Sequence, residues 1–342
     1  MTGRLRIGAL GCAEVLWRRL GPAFQDHPRT EITAVASRDP AKAARFAARF
    51  DCAATDYAGL LARADVDAVY LPAPPALHHH WGVRVLAAGK HLLVEKPLAA
   101  TTAQARELIA LARRRRLLLW ENFLFPRHPQ HEAARKLLAE GALGRLRSLH
   151  AAFCFPPRAE DDIRYVAALG GGALLDAGVY PLRAAQLLLG PGLRVAGASL
   201  RMDRRRGVDL SGQALLVSPD GVLAGIEFGF EHSYAARYTL WGSAARLHVD
   251  RAFTPPPDHP PVLRLRSQDG TEHIPLPPSD QVAGSVGAFA EAVLAGTEAN
   301  SPAERARGAT AVETVWLTEQ IRLAAVRVPA EAEVPETGGL PR

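Results

Sequence analysis

The chain has little cysteine, little lysine and no long apolar run. Cysteine stands at positions 12, 52 and 154 only, too sparse and too widely spaced for a disulfide framework or a CxxC metal knuckle, so a reducing compartment is expected. Nowhere does the sequence reach the roughly 18 consecutive apolar residues of a membrane span. Its start, Met1-Thr2-Gly3-Arg4-Leu5-Arg6, runs into a strand pattern with no apolar leader. A soluble, cytoplasmic protein with no membrane partner is expected. Lysine occurs at positions 42, 90, 96 and 136 alone, so the formal charge of +6 rests on arginine, the residue suited to bidentate phosphate contacts. The densest run, Arg113 to Arg116, ends a helical pattern, where cations offset the helix dipole. No helix-turn-helix, zinc-finger or RNA-binding signature accompanies it, so no nucleic-acid partner is expected.

What is present is enough apolar sequence for two cores. A length of 342 residues exceeds one ordinary core, and 48% hydrophobic with 22% charged residues is far from the composition of disordered chains. The first part alternates short apolar runs with helical stretches. Strands are expected at Leu5 to Leu10, Glu31 to Ala36, Ala68 to Leu71, His91 to Val94 and Leu117 to Trp120. Helices are expected between them at 14–25, 40–50, 57–63, 78–88 and 102–113, which makes βαβ units and a parallel sheet. After a helix at 129–140 the pattern changes to strands at 145–155, 192–202, 212–217, 221–230, 235–241, 246–249 and 262–267, several joined by turns such as Pro219-Asp220-Gly221. Helices at 174–189, 282–295 and 303–326 complete it, and Phe253 to Pro261 reads as a proline-rich loop. The expected fold is α/β: a Rossmann (doubly wound parallel) domain over 1–122, an α+β domain with a mostly antiparallel, open-faced sheet over 123–330, and a frayed tail over 331–342.

The first strand leads into Gly8-Ala9-Leu10-Gly11-Cys12-Ala13-Glu14, a strand-to-helix turn that would bring backbone amides to a dinucleotide pyrophosphate. As a glycine fingerprint it is incomplete, since Ala13 and Leu16 stand where the second and third glycines belong. At the end of the second strand, Ser37-Arg38 replaces the acid that NAD sites use on the ribose, so NADP(H) is favoured over NAD. Lys42 or Arg18 is a candidate for a second phosphate contact.

Val94-Glu95-Lys96-Pro97 puts a lysine at the carboxyl edge of the parallel sheet, where ligands bind in such folds. Gly170-Gly171-Gly172 precedes Asp176 and Tyr180, four apart and on one helix face. His78-His79-His80 and the pair His128/His131 lack cysteine or acidic ligands at zinc spacing, so no metal is expected.

Gly11-Cys12-Ala13, Glu95-Lys96-Pro97 and Gly171-Gly172 through Asp176 and Tyr180, in this domain order, resemble the Gfo/Idh/MocA oxidoreductase family over roughly residues 4 to 325. Most of that family has a histidine where this chain has Tyr180. The departure, with Gly11 to Arg19, Glu121 to Phe125, His128 to His131 and Asp162 to Tyr165, resembles the branch of nucleotide-sugar 3-ketoreductases in antibiotic deoxysugar pathways. The resemblance implies an enzyme that uses NADPH to reduce the C3 ketone of a nucleoside-diphosphate-linked 3-keto-deoxyhexose, with dTDP the expected carrier. It implies cofactor contacts from Gly11, Cys12, Ala13, Ser37, Arg38, Leu71, Pro72, His78, Glu95, Lys96 and Pro97. Substrate contacts are implied for Asn122, His128, Gln130 and His131 at the sugar, and for Arg164 and Tyr165 at the pyrophosphate and base. The catalytic set is Lys96, Tyr180 and Asp176.

An alkoxide forms on the former ketone, so a donor must stabilise and protonate it. Tyr180 is expected as the acid, its phenol made more acidic by Lys96, with the reverse assignment open; Asp176 orients the pair. A homo-oligomer, dimer or tetramer, is implied through the exposed face of the second sheet. Two other readings compete: a dehydrogenase of a free sugar or cyclic diol, and an NADP-sensing regulator without turnover.

Overall fold

The computed structural model describes residues 3–330. The tail expected over 331–342 lies outside them. Six parallel strands form the first sheet in the order β3-β2-β1-β4-β5-β6: β1 Leu5–Leu10, β2 Thr30–Ala36, β3 Ala53–Thr55, β4 Ala68–Leu71, β5 His91–Glu95 and β6 Leu119–Asn122. Both faces are covered by helices, so β4 and most of β1 are buried along their length, the continuous apolar pattern of a parallel sheet. The first helix opens with a π-helical turn at Leu16–Leu20 and continues as α1, Gly21–Asp26. α2 (Pro40–Phe50), α3 (Tyr57–Ala62), α4 (Pro75–Ala87) and α5 (Thr102–Arg115) follow, and α5 ends on Arg116 in the left-handed conformation.

The second sheet has nine strands, in the order β14-β13-β12-β11-β7-β10-β9-β8-β15. α6 (Pro129–Ala139) precedes β7 (Leu146–Cys154). A second π-helical turn, Leu174–Gly178, leads into α7, Val179–Leu189. Then come β8 Arg194–Asp203, β9 Val208–Val217, β10 Leu223–Gly229, β11 Ala235–Gly242, β12 Arg246–Val249, β13 Val262–Arg266 and β14 Thr271–Pro275. The Pro219-Asp220-Gly221 turn joins β9 to β10 in antiparallel register, Val217 opposite Leu223, with Gly221 at φ +79°. Two pairings are parallel, β7 with β10 and β8 with β15. The sheet is half-covered: in β11 Ala236, Tyr238 and Leu240 point to the core under α7, while Arg237 and Trp241 face outward.

α8 (Gln281–Leu294), α9 (Pro302–Ala324) and β15 (Ala325–Pro329) end the described chain. The expected helix to Val326 stops two residues early, because the Val326 and Val328 segment pairs with β8 instead of extending α9. Two short edge strands, β3 and β14, were not legible from the pattern. The helices also cross the expected division at residue 122. Val282, Val286 and Phe289 of α8 pack with Leu5, Ile7 and Phe24, and Ala311 and Val315 of α9 pack among Val85, Leu108 and Leu119. Glu319 of α9 caps the start of α5 by accepting from Thr102, and Glu304 accepts from the buried Trp120 indole at 2.8 Å. Among the described residues no helix is long and apolar enough to cross a membrane.

Candidate active site

At the cofactor end, Gly11 sits at φ +126°, a conformation that side chains disfavour, and its amide donates to Ala36 O at 3.0 Å. A Cβ at Gly11 would find Pro72 as its nearest neighbour at 3.7 Å, so the turn leaves a gap beneath β4. Cys12 is buried with its thiol pushed up to about 11 by desolvation, which makes it a packing residue and not a nucleophile. Ser37 and Arg38 line a cleft of about 520 Å³ with Pro40, Ala43, Thr55 and Tyr57. The acids beside it are turned away to helix ends: Asp39 accepts from Ala41 N and Lys42 N, and Asp56 accepts from Gly59 N at 2.6 Å. A cleft whose carboxylates are committed to helix ends and whose Arg38 stands beside the Tyr57 hydroxyl suits a 2′-phosphorylated dinucleotide.

Three strands along the same sheet, the carboxyl end of β5 leads into Lys96. Lys96 Nζ donates to Asp176 Oδ1 at 2.7 Å and to Asp176 O at 2.8 Å, and it lies 5.0 Å from the centroid of the Tyr180 ring. Arg164 Nε donates to the other oxygen of Asp176 at 2.6 Å, and its Nη1 is shared by Asp162. Asp176 thus bridges two cations, which hold it well below the usual carboxylate range despite burial. Burial opposes the charge on Lys96, but the Asp176 carboxylate outweighs it and the ammonium stays above its ordinary value.

For Tyr180 the balance differs from expectation. Desolvation raises the phenol, Lys96 draws it back only in part, and the net shift is upward. The ring stands in a wall of Phe123, Phe153 and Phe253, with centroids at 5.6, 4.7 and 5.7 Å. That apolar wall is why burial prevails.

Asp176 and Tyr180 reach this point because the π-helical turn offsets the helix start against the glycine run before it. Gly171 and Gly172 donate to Val166 O and Arg164 O, stitching the Arg164 segment to the turn. A Cβ on Gly172 would collide with Asp209, whose carboxylate accepts from Leu174 N at 2.6 Å and so caps the turn. Glu95 Oε1 accepts from Tyr70 Oη and from Asn122 Nδ2, both at 2.7 Å.

Several residues expected at a ligand are buried and bonded within the protein. His78 is fully buried between Pro97 O (2.8 Å) and Ala73 O (2.7 Å), and desolvation takes its pKa down to about 4; it fastens the loop after β4 to the Lys96–Pro97 loop. Leu71 is likewise sealed in the first core. Asn122 is buried against Glu95 and Ser285. His128, Gln130 and His131, expected at the sugar, are buried in the interior. His128 accepts from Gln130 N at the head of α6, Gln130 donates to Ala252 O, and His131 meets Ala252 O and Tyr238 Oη at 2.9 and 3.1 Å. Tyr165 is buried with its hydroxyl accepting from Arg158 N, and Arg164 is engaged by two carboxylates. The sequence reading passed over Asp209, Glu121 and Arg183. Arg183 had a signal, since it follows Tyr180 at i+3; the other two had none without the fold.

Two family models match consecutive parts of the chain: "Oxidoreductase family, NAD-binding Rossmann fold" over residues 5–123 and "GFO/IDH/MocA C-terminal domain" over 131–248. A curated relative from Streptomyces violaceoruber, dTDP-3,4-didehydro-2,6-dideoxy-alpha-D-glucose 3-reductase, is 53% identical, covering 94% of this chain and 95% of its own. The crystal structure of a 3-ketoreductase from Actinomadura kijaniata in complex with NADP and TDP-benzene superposes with a TM-score of 0.92 at 45% identity, covering 96% of this chain and 100% of that one. A more distant relative, D-xylose 1-dehydrogenase (NADP(+)) 2 of Haloferax volcanii, is 32% identical over 85% of this chain and 90% of its own.

Proposed function

Because this chain belongs to the Gfo/Idh/MocA family of oxidoreductases, we propose that it is a cytoplasmic NADPH-dependent 3-ketoreductase that reduces C3 of a dTDP-linked 3-keto-deoxyhexose. The observation that carries this reading is the lysine at the carboxyl edge of β5, clamped by Asp176 at 2.7 Å and lying 5.0 Å from a half-buried tyrosine ring. The near full-length identity to dTDP-sugar 3-reductases supports the substrate class.

NADPH, when bound, supplies the hydride equivalent that C3 receives. The Gly11 turn and the Ser37–Arg38 cleft are the parts of this chain that would hold it. Tyr180 supplies the proton: its Oη–H bond breaks as the bond to the ketone oxygen forms, leaving an alcohol and a tyrosinate. A donor must arrive protonated, and the raised Tyr180 phenol does so at neutral pH. Lys96 stays charged and stabilises both the developing alkoxide and the tyrosinate. Asp176, pinned by Lys96 and Arg164, fixes the ammonium and takes no proton. Solvent returns the proton to Tyr180. A homo-oligomer formed on the outward face of the second sheet completes this reading; sedimentation showing only monomer at micromolar concentration would remove that part.

One observation favours a second reading, oxidation of a free sugar: Arg164 is engaged by two carboxylates, Asp162 and Asp176. The decisive assay follows NADPH absorbance with a freshly generated dTDP-3-keto-deoxyhexose. Rapid loss that collapses in Lys96→Ala supports the reductase; reduction of NADP by free aldoses alone supports the alternative, and tight NADPH binding without any turnover supports a sensor.

A further inference from the structure

Glu121 and Arg183 form a buried ion pair that no step above uses. Glu121 lies near the end of β6 and Arg183 on α7, one turn beyond Tyr180, and their side chains are only 3% and 11% exposed. One carboxylate oxygen of Glu121 accepts from Leu98 N at 2.7 Å, two residues past Lys96; the other accepts from Arg183 Nη2. The guanidinium carbon lies 4.4 Å from the Phe123 ring centroid, and Phe123 meets Tyr180 edge-on at 5.6 Å. Arg183 Nε is buried with no hydrogen-bond partner among the described residues. The pair therefore bridges the loop that carries Lys96 and the helix that carries Tyr180, alongside the Lys96–Asp176 contact itself.

A buried ion pair adds little net stability over two apolar residues of similar size, because desolvation consumes most of the attraction. What it does supply is direction, through a guanidinium and a carboxylate that meet in few geometries. We propose that Glu121 and Arg183 are positioning residues, which set the placement of the Lys96 ammonium against the Tyr180 phenol across the interface of the two sheets. The consequence for turnover rests on the reductase reading; the consequence for Tyr180 does not.

The test uses the double variant Glu121→Gln/Arg183→Met, which leaves no buried charge unpaired and so separates positioning from folding. NADPH affinity is expected to stay within about threefold of wild type. The kcat is expected to fall ten- to a hundredfold with KM little changed, because a misplaced donor acts only in the transition state. Adding back the cation in Arg183→Lys, with Glu121 intact, is expected to recover part of that loss. In substrate-free protein, the Tyr180 phenol, read by NMR of ring-labelled tyrosine with Tyr180→Phe as the assignment control, is expected to titrate at higher pH as Lys96 moves away. The charged groups facing that phenol, Lys96, Asp176, Glu95 and Arg19, are all retained in the variant. An unmoved Tyr180 titration overturns the proposal whatever kcat does, and so does a double variant with wild-type kcat. Absence of turnover by wild-type protein would instead sink the reductase reading and leave the titration to decide this one.

Discussion

Lys96, Asp176 and Arg164 beyond the end of β5, and His128, Gln130 and His131 at the head of α6, are built from residues equally able to hold a ligand or move a proton. They differ in counter-charge. In the first group each charge meets an opposite one at 2.6 to 2.7 Å and stays ionised. In the second, no carboxylate bonds either histidine among the described residues, and desolvation drives both down, His131 to about 3. Burial silences a polar group that lacks a counter-ion and sharpens one that has it. The histidine group works as scaffold: through Ala252 O it anchors the segment that carries Phe253 against Tyr180.

The contrast can be broken first at the lysine. Lys96→Ala is expected to lower kcat by about 10³-fold or more, since it removes the cation beside both the alkoxide and the tyrosinate, and Tyr180→Phe by about 10²-fold, with NADPH binding retained in each. Steady-state kinetics with the keto-sugar nucleotide measures both; near wild-type kcat in Lys96→Ala would erase the distinction between the groups.

Replacing the scaffold should do the reverse. His131→Ala leaves a cavity, takes the partner from the buried Tyr238 hydroxyl and leaves Ala252 O with Gln130 alone, so the melting temperature should drop, by the equivalent of about 2–4 kcal/mol, while kcat per folded molecule changes little. Acid sharpens the comparison further. The folded-state pKa values of His78 and His131, about 4 and about 3, lie below the unfolded value of 6.5, so the unfolded chain binds protons first and stability falls as pH drops from about 6.5 towards 4. Asp176, also depressed, protects the fold above its ordinary value of 3.8 and loses that effect only at lower pH. Thermal melts between pH 7 and pH 4 should therefore steepen through the histidines, and His131→Phe should flatten the fall. The smallest effect is expected at the cofactor cleft, where Arg38→Ala should reduce the preference for NADPH over NADH by about tenfold, read from kcat/KM with each.

Both sheets, most of their strands and the lysine at the edge of β5 were legible because hydrophobic periodicity and strand-end position are local properties. The trio Lys96, Asp176 and Tyr180 came together as the sequence suggested. The acidity of Tyr180 did not follow, since it depends on Phe123, Phe153 and Phe253 closing around the ring from three separate segments. The burial of His78, Gln130 and His131 was not legible for the same reason: a polar side chain in a motif looks identical whether it faces a cleft or a carbonyl in the core. Asp209, Glu121 and β15 required the tertiary pairing to be seen at all.

α8 and α9 pack on the first sheet although they follow the second in sequence, and α9, 23 residues and about 35 Å long, runs along it with Glu304 and Glu319 as fasteners. A chimera that exchanges cofactor specificity between two such enzymes by swapping residues 1–122 alone would graft a sheet without its own lid. The interchangeable unit is discontinuous, residues 1–122 together with 281–324, and an exchange drawn on that boundary should yield soluble protein where the linear cut yields aggregates.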